Sequence, residues 1–389
     1  MNIIKLASAV EAWSAGQPAI TVTPERCLHR RDKHSPCSAC LDICPMNAIT
    51  LDGEVALDLD SCIRCGLCLH ECPVGVFEGE NGTRRLLHCY TQLIDRERVE
   101  ITCKHHPAPA TGRGGIDAVI STNGCLSKLD PAAYLALFAL GAKQVIVRLD
   151  ACLNCPLGAL CANITETIET ARGFLGADAE ALVVETEPAQ KRKTRPVYSV
   201  NNPPVSRRGL FRMIAMQTEN PIDALLGAEG EEGSALPETR RRLLAVLPHL
   251  PNSDPAATVA DAGFTRLSAD DHCNACELCA RVCPTHALGF YLNDEAFALG
   301  FTPAACTNCG LCINLCEPKA LQQAGQPTVG EILDDEPVMI YAGQVKRCRR
   351  CNTPFAGEGD LCPPCDFRQK NPFGLMMKKS PLADGKASS

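Results

Sequence analysis

Ser61-Cys62-Ile63-Arg64-Cys65-Gly66-Leu67-Cys68-Leu69-His70-Glu71-Cys72-Pro73 sets three Cys in a two-residue rhythm, then a fourth Cys and a Pro. The spacing returns at Cys273-Cys276-Cys279-Cys283-Pro284 and at Cys306-Cys309-Cys312-Cys316, where Glu317 precedes Pro318. Cys37-Cys40-Cys44-Pro45 is the same run without its first Cys. Three thiolates in that rhythm with a distal fourth suit an iron–sulfur cube better than a lone zinc ion. Pro after the fourth Cys ends the local turn and fixes the chain direction. Gly66 and Gly310 let backbone amides lie close to the sulfurs.

The four runs fall in two close pairs, and each pair resembles the bacterial-type 2[4Fe–4S] dicluster ferredoxins. In that family the fourth Cys of each run ligates the other cluster. The resemblance therefore implies one cluster on Cys273, Cys276, Cys279 and Cys316, and another on Cys306, Cys309, Cys312 and Cys283. In the N-terminal pair, Cys62, Cys65, Cys68 and Cys44 make a complete set. Cys37, Cys40 and Cys72 need a fourth ligand. His34 stands where the first Cys should be, in a basic loop with Arg30, Arg31 and Lys33; Cys27 lies ten residues before Cys37. A soft thiolate suits the cluster better than imidazole, which favours Cys27. His34, a three-iron cluster or an exposed iron site stay open as alternatives. The family's clusters carry one electron at a time and do no bond chemistry.

Residues 84–186 read as a small parallel α/β domain. Short apolar runs at Arg85–His88, Val99–Thr102, Ala118–Ser121, Gln144–Leu149 and Ala181–Val184 predict strands, with a helix near Pro131–Leu140. Asp130 is the expected N-cap and Pro131 the first helical residue, within a βαβ unit over 116–150. Cys89, Cys103, Cys125 and Cys152 each follow a predicted strand. Strand ends of an open parallel sheet share one edge, where ligands bind, so these thiols are expected to converge there; scattered buried Cys acting as small hydrophobes is the plain alternative. Asn123-Gly124-Cys125, Leu129-Asp130-Pro131, Gly141-Ala142, Cys152 and Cys155 resemble the iron–sulfur (delta) subunit family of viologen-reducing hydrogenases. That resemblance implies one further [2Fe–2S] or [4Fe–4S] cluster and transfer of electrons between partner subunits. We select Cys125, Cys152, Cys155 and Cys161 as its ligands, with Cys89 as the substitute.

Residues 187–265, rich in Pro and charge, read as a linker with short helices near 206–217 and 238–247. Its Lys191–Arg195 stretch is basic and Glu229–Gly233 acidic. Ser206-Arg207-Arg208 resembles an export motif, but no apolar stretch long enough follows it. Cys348-x2-Cys351 and Cys362-x2-Cys365 form two knuckles of zinc-ribbon type, a closed four-thiolate site for zinc or iron. The expected organisation is a multidomain α+β chain. Dicluster modules at 1–83 and 266–330 flank the α/β domain of 84–186. The linker follows at 187–265, the ribbon at 331–375 and a tail at 376–389.

Composition narrows function. The 26 Cys among 389 residues are grouped as metal thiolates rather than as a disulfide framework. Such thiolates last best in a reducing compartment, and the first 25 residues lack the basic start and apolar stretch of a secretory signal, so a cytoplasmic location is expected. A net charge of −7 argues against nucleic acid as a partner. The longest apolar run, near Pro131–Ala142, is too short to span a bilayer, which leaves peripheral membrane association open. No dinucleotide fingerprint, catalytic triad or zinc-protease motif is present. The expected function is single-electron transfer as a subunit of a larger dehydrogenase- or hydrogenase-type complex of anaerobic metabolism. Redox-enzyme subunits or a soluble carrier would be its partners. A thiol/disulfide reductase built on the central Cys, or an assembly factor for an iron–sulfur or molybdenum enzyme, are the alternatives.

Overall fold

The computed structural model describes residues 20–93, 96–189, 193–204, 221–227, 234–260, 262–334 and 336–371. The expected helix at 206–217 with its Arg pair, the acidic stretch 229–233, Lys191, Arg192 and the tail lie outside these residues.

The centre of the molecule is a parallel sheet of β1 (Arg98–Thr102), β2 (Ala118–Ser121), β3 (Gln144–Arg148), β4 (Leu182–Glu185) and β5 (Val197–Ser199). Its order is β5-β2-β1-β3-β4, and every pairing is parallel. Val99, Ile101, Ala118, Val119, Ile120, Val145, Ile146 and Val147 are fully buried, as expected for strands covered on both faces. Strand order turns back beside β1: β2 lies on one side and β3 on the other, so the loops after β1 and β3 meet at a switch point.

Helix α2 (Pro131–Ala139) is buried on all sides, between α1 (Thr83–Thr91), α3 (Cys161–Leu175) and α4 (Glu238–Val246). Asp130 caps it, accepting from Ala133 N at 3.0 Å. The same carboxylate accepts from Asn81 Nδ2 at 3.0 Å and from Arg242 of α4, with Nε at 2.9 Å and Nη2 at 2.7 Å. One cap thus ties the end of the N-terminal module, the sheet domain and α4 together.

Two readings change. Arg85–His88 is not a strand but the middle of α1. Gly82 turns left-handed (φ 85°) before it, and Thr83 N donates to Asn81 Oδ1 at 3.0 Å, which starts a helix that buries Leu86, Leu87 and Tyr90. The stretch read as a linker carries the expected helix near 238–247 as α4, but it also supplies strand β5 to the central sheet. Arg195 drives this, pairing at 2.7 Å with Glu100, which is fully buried in the central strand. Arg148 pairs with the same carboxylate at 3.0 Å, so the buried anion is compensated on both sides.

Each dicluster module closes on itself by short antiparallel pairs. Thr21–Val22 pairs with Phe77–Glu78, and Leu267–Ala269 with Leu321–Gln323. The second module adds a sheet of β6 (Leu288–Leu292), β7 (Ala296–Phe301) and β8 (Val338–Gln344). Leu311 of this module is buried in the core of the first, with Val282, Cys309 and Leu315 packed alongside. No helix among the described residues is long and apolar enough to cross a membrane.

Candidate metal centres

The three complete Cys runs repeat one backbone path. Two residues after the first Cys the chain is left-handed, at Arg64 (φ 53°), Ala275 (φ 59°) and Asn308 (φ 53°). It is left-handed again after the second Cys, at Gly66 (φ 81°), Glu277 (φ 63°) and Gly310 (φ 71°). A further such turn follows the fourth Cys of each run, at Asn47, Gly75, His286 and Lys319. Turns of this kind aim successive N–H groups inward, toward an anionic centre. Arg64 N lies 3.4 Å from Cys62 Sγ, while Ala48, Val76 and Ala287 donate to Cys44, Cys72 and Cys283 Sγ at 3.3 Å.

The thiols gather in sets around cavities. Cys283, Cys306, Cys309 and Cys312 line one of about 400 Å³. Cys273, Cys276, Cys279 and Cys316 line one of about 390 Å³, and Cys44, Cys62, Cys65 and Cys68 one of about 330 Å³. Otherwise the walls are largely apolar. Burial raises the Cys279 thiol to about 12 and the Cys306 thiol to about 11. Neighbouring Cys add to both, and Arg240 acts against the rise at Cys306. Soft thiols and inward N–H groups gathered around largely apolar hollows fit an iron–sulfur cube.

In the incomplete run, Pro36 occupies the position where Arg64 turns left-handed in the complete one, and proline cannot adopt that φ. The chain instead brings Cys27 in from upstream, buried at the start of the helix Leu28–Arg31. His29 of that helix bonds the Cys37 carbonyl at 2.8 Å. Burial lifts the Cys40 thiol to about 12, with Cys72, Cys37 and Cys27 adding to the rise. His34 is exposed.

At the carboxyl edge of the parallel sheet, Cys103, Cys125, Cys152 and Cys161 pack against one core, and Cys155 lies near Cys103, Cys125 and Cys152. Burial pushes Cys152 up to about 12, helped by Cys161, Cys125, Cys103 and Cys155. Cys103, which immediately follows β1, stands in this group, although our selection from sequence omitted it. Its position directly after a strand at the switch point was the signal. Cys89 lies apart on α1, fully buried, its Sγ 4.0 Å from Ser199 O. It fills space as a small hydrophobe. Beside the thiols, Asp150 accepts from Arg148 at 3.0 and 2.7 Å and from His106 Nε2 at 2.9 Å. Ala108 N donates to His106 Nδ1 at 3.1 Å, which assigns the ring proton to Nε2.

Two approaches join these groups. Burial raises Cys65 to about 12 and nearby Cys125 of the central domain contributes. Ser127 Oγ donates to Cys65 O at 3.0 Å, and His70 bonds Ser127 O at 3.0 Å. Across the other seam, burial raises the Cys309 thiol and Cys37 adds to it.

The last set is Cys348, Cys351, Cys362 and Cys365, whose sulfurs all lie within 4.8 Å of one another. Lys346–Arg347 pairs with Pro354–Phe355 to make the first knuckle, and Cys362 opens the helix Pro363–Lys370.

Comparison with known proteins agrees with this geometry. Residues 35–76 and 272–320 match the 4Fe-4S dicluster domain family. The resemblance to dicluster ferredoxins therefore holds at both pairs of Cys runs, and such domains imply [4Fe–4S] clusters. Over 65 residues the chain is 38% identical to an uncharacterized ferredoxin of Methanocaldococcus jannaschii, covering 16% of this chain and 41% of that one. It is 40% identical over 50 residues to the pyruvate synthase subunit PorD of Methanothermobacter marburgensis, covering 13% and 59%. An uncharacterized protein of Methanothermobacter thermautotrophicus is 35% identical over 74 residues, covering 18% and 16%. The chain thus spans 16%, 41% and 59% of the lengths of these three relatives.

Proposed function

We propose that this chain holds a line of redox centres and serves as the electron-carrying subunit of a larger redox complex. In order, the [4Fe–4S] sets are Cys273/Cys276/Cys279/Cys316, then Cys283/Cys306/Cys309/Cys312, then Cys27/Cys37/Cys40/Cys72, then Cys44/Cys62/Cys65/Cys68. Cys103, Cys125, Cys152, Cys155 and Cys161 would hold a fifth centre. The observation that carries this reading is the pair of seams, where Cys309 and Cys37 pack against one shared core and Ser127, two residues after Cys125, donates to Cys65 O at 3.0 Å. When bound, such a cluster supplies a one-electron couple whose potential responds to charge, burial and N–H donors. The chain's own part is to hold the sulfurs, exclude water with apolar walls and aim backbone N–H groups inward.

We assign zinc to the four-thiolate ribbon, in a closed tetrahedral site; rubredoxin-like iron would use the same ligands. Ala356 N donates to Asn274 O at 3.2 Å, which ties the ribbon to the Cys273–Cys276 turn and supports a bracing role. Similarity to a protein named as a pyruvate synthase subunit supports a place beside a catalytic subunit in a reducing compartment. In this reading the first module occupies 1–83, and 187–265 completes the central domain of 84–186. The second module takes 266–330 together with strand β8 (Val338–Gln344), which the expected ribbon of 331–375 includes, and the four-thiolate knuckles begin at Lys346.

Metal analysis and electron paramagnetic resonance (EPR) of anaerobically purified protein test the reading. We expect about sixteen iron from four cubes, with two to four more from the central centre. Cys125→Ser removes only the latter. Colourless, iron-free protein overturns the proposal. A second reading, a thiol/disulfide reductase, draws on the fifth central thiol, one more than a four-ligand centre needs. Single-turnover disulfide reduction by the dithionite-reduced chain, lost in Cys152→Ser, would favour it.

A further inference from the structure

Buried donors require acceptors. Two donors at the second dicluster module have none among the described residues, Arg240 Nη1 and Thr307 Oγ1. Arg240 extends from α4 and is 7% exposed. Its guanidinium lies 3.5 Å above the Phe264 ring centroid, and Nη2 donates to Gly263 O at 2.5 Å. The position of Gly263 leaves room for this: a Cβ there would come 3.1 Å from Nη2. With one face stacked and one N–H bonded, the head group is held in place while Nη1 stays unused. Thr307 lies between Cys306 and Cys309 on the wall of the cavity of about 400 Å³ that the four thiols share. Thr265, the residue after Phe264, lines the same cavity, so Arg240 is stacked directly behind that wall.

Thr307 lines this cavity, where a cube would bring sulfur acceptors, and Arg240 places a buried positive charge behind the Thr265 wall. Reduction adds one negative charge to such a centre, so a fixed cation and extra donors stabilise the reduced form. The other C-terminal set has the opposite surroundings. Asp270, whose carbonyl accepts from Cys273 N at 3.1 Å, brings a carboxylate beside that set.

We propose that Arg240 and Thr307 raise the potential of the centre held by Cys283, Cys306, Cys309 and Cys312, making it the more easily reduced of the C-terminal pair. Electrons then favour the side facing the seam with the N-terminal module. This inference rests on the four-cube reading above.

The test is an EPR-monitored redox titration of the full chain, anaerobic and iron-loaded, comparing wild type with Arg240→Gln, Arg240→Lys and Thr307→Val. We expect one C-terminal midpoint potential to move negative in Arg240→Gln and, by less, in Thr307→Val, with iron content and the other three potentials unchanged. Arg240→Lys keeps the charge and stays closer to wild type. Thr307→Val is nearly isosteric and decides the matter if Arg240→Gln does not load. Loaded variants with wild-type potentials overturn this inference alone. A wild-type chain without cube signals overturns the four-cube reading and the inference together.

Discussion

Eight residues other than glycine are left-handed among the described residues, and all eight lie at the Cys runs or the ribbon knuckle. Each such conformation costs an L-residue about 1–2 kcal/mol. The thiolate cradles are therefore strained folds, and bound metal offsets the strain. Gly66 shows why glycine is required at one of these positions. Its φ is 81°, and a Cβ there would meet Lys128 Cγ of the central domain at 2.9 Å. Gly53 has a similar φ of 82° with nothing within 4 Å. Gly53→Ala should cost about 1 kcal/mol. Gly66→Ala should cost about 3 kcal/mol, because overpacking at the seam adds to the backbone penalty. Thermal unfolding of the loaded chain measures both; equal losses would mean that the seam contact does not matter.

At the scale of elements, the incomplete run departs from the others because Pro36 blocks the usual turn and a short upstream helix delivers Cys27. Cys27→Ser should remove one cube, about four iron, whereas His34→Ala should leave iron content and EPR signals intact. Iron lost in His34→Ala and retained in Cys27→Ser would reverse the assignment. The four-Cys set at Cys348–Cys365 has so small a core that a bound ion should supply much of its stability. Burial pushes the Cys365 and Cys362 thiols up, while at Cys348 burial is outweighed by backbone N–H donors that pull the thiol down, so the four-thiol set without metal still holds protons at neutral pH. Binding must displace the remaining protons of the set, and zinc affinity should rise as pH rises and fall as it drops. Competition with a chromophoric chelator between about pH 6 and 8 reads this slope directly; a flat profile would contradict it.

At the scale of the molecule, the two dicluster modules are far apart in sequence yet share a core through Leu311. Leu311→Ala should destabilise the junction by about 2–4 kcal/mol. Iron content should hold while magnetic coupling between cubes across the seam weakens, as seen in the EPR line shape of the fully reduced protein. Unchanged coupling would show that the junction is not set by this packing. The opposite seam is polar, built from Ser127, His70 and the Gly66 turn. Asp130 and Glu100 each bind guanidinium groups from beyond residue 190, which holds the middle of the chain to the sheet domain.

The sequence by itself determined the repeated thiol sets, the gathering of Cys348, Cys351, Cys362 and Cys365, and most of the parallel sheet. Ligand spacing and short apolar runs are local patterns, and a turn that aims three thiols at one point is encoded within a dozen residues. Asp130 and Pro131 marked their helix for the same reason. Tertiary structure alone decided that Cys103 joins the central group while Cys89 does not. Val197–Ser199 and Arg240 likewise gained roles in a stretch that reads as a tether. Those outcomes depend on which strand lies next to which, and on where buried charges find partners from distant parts of the chain. Neither is carried by the spacing of neighbouring residues.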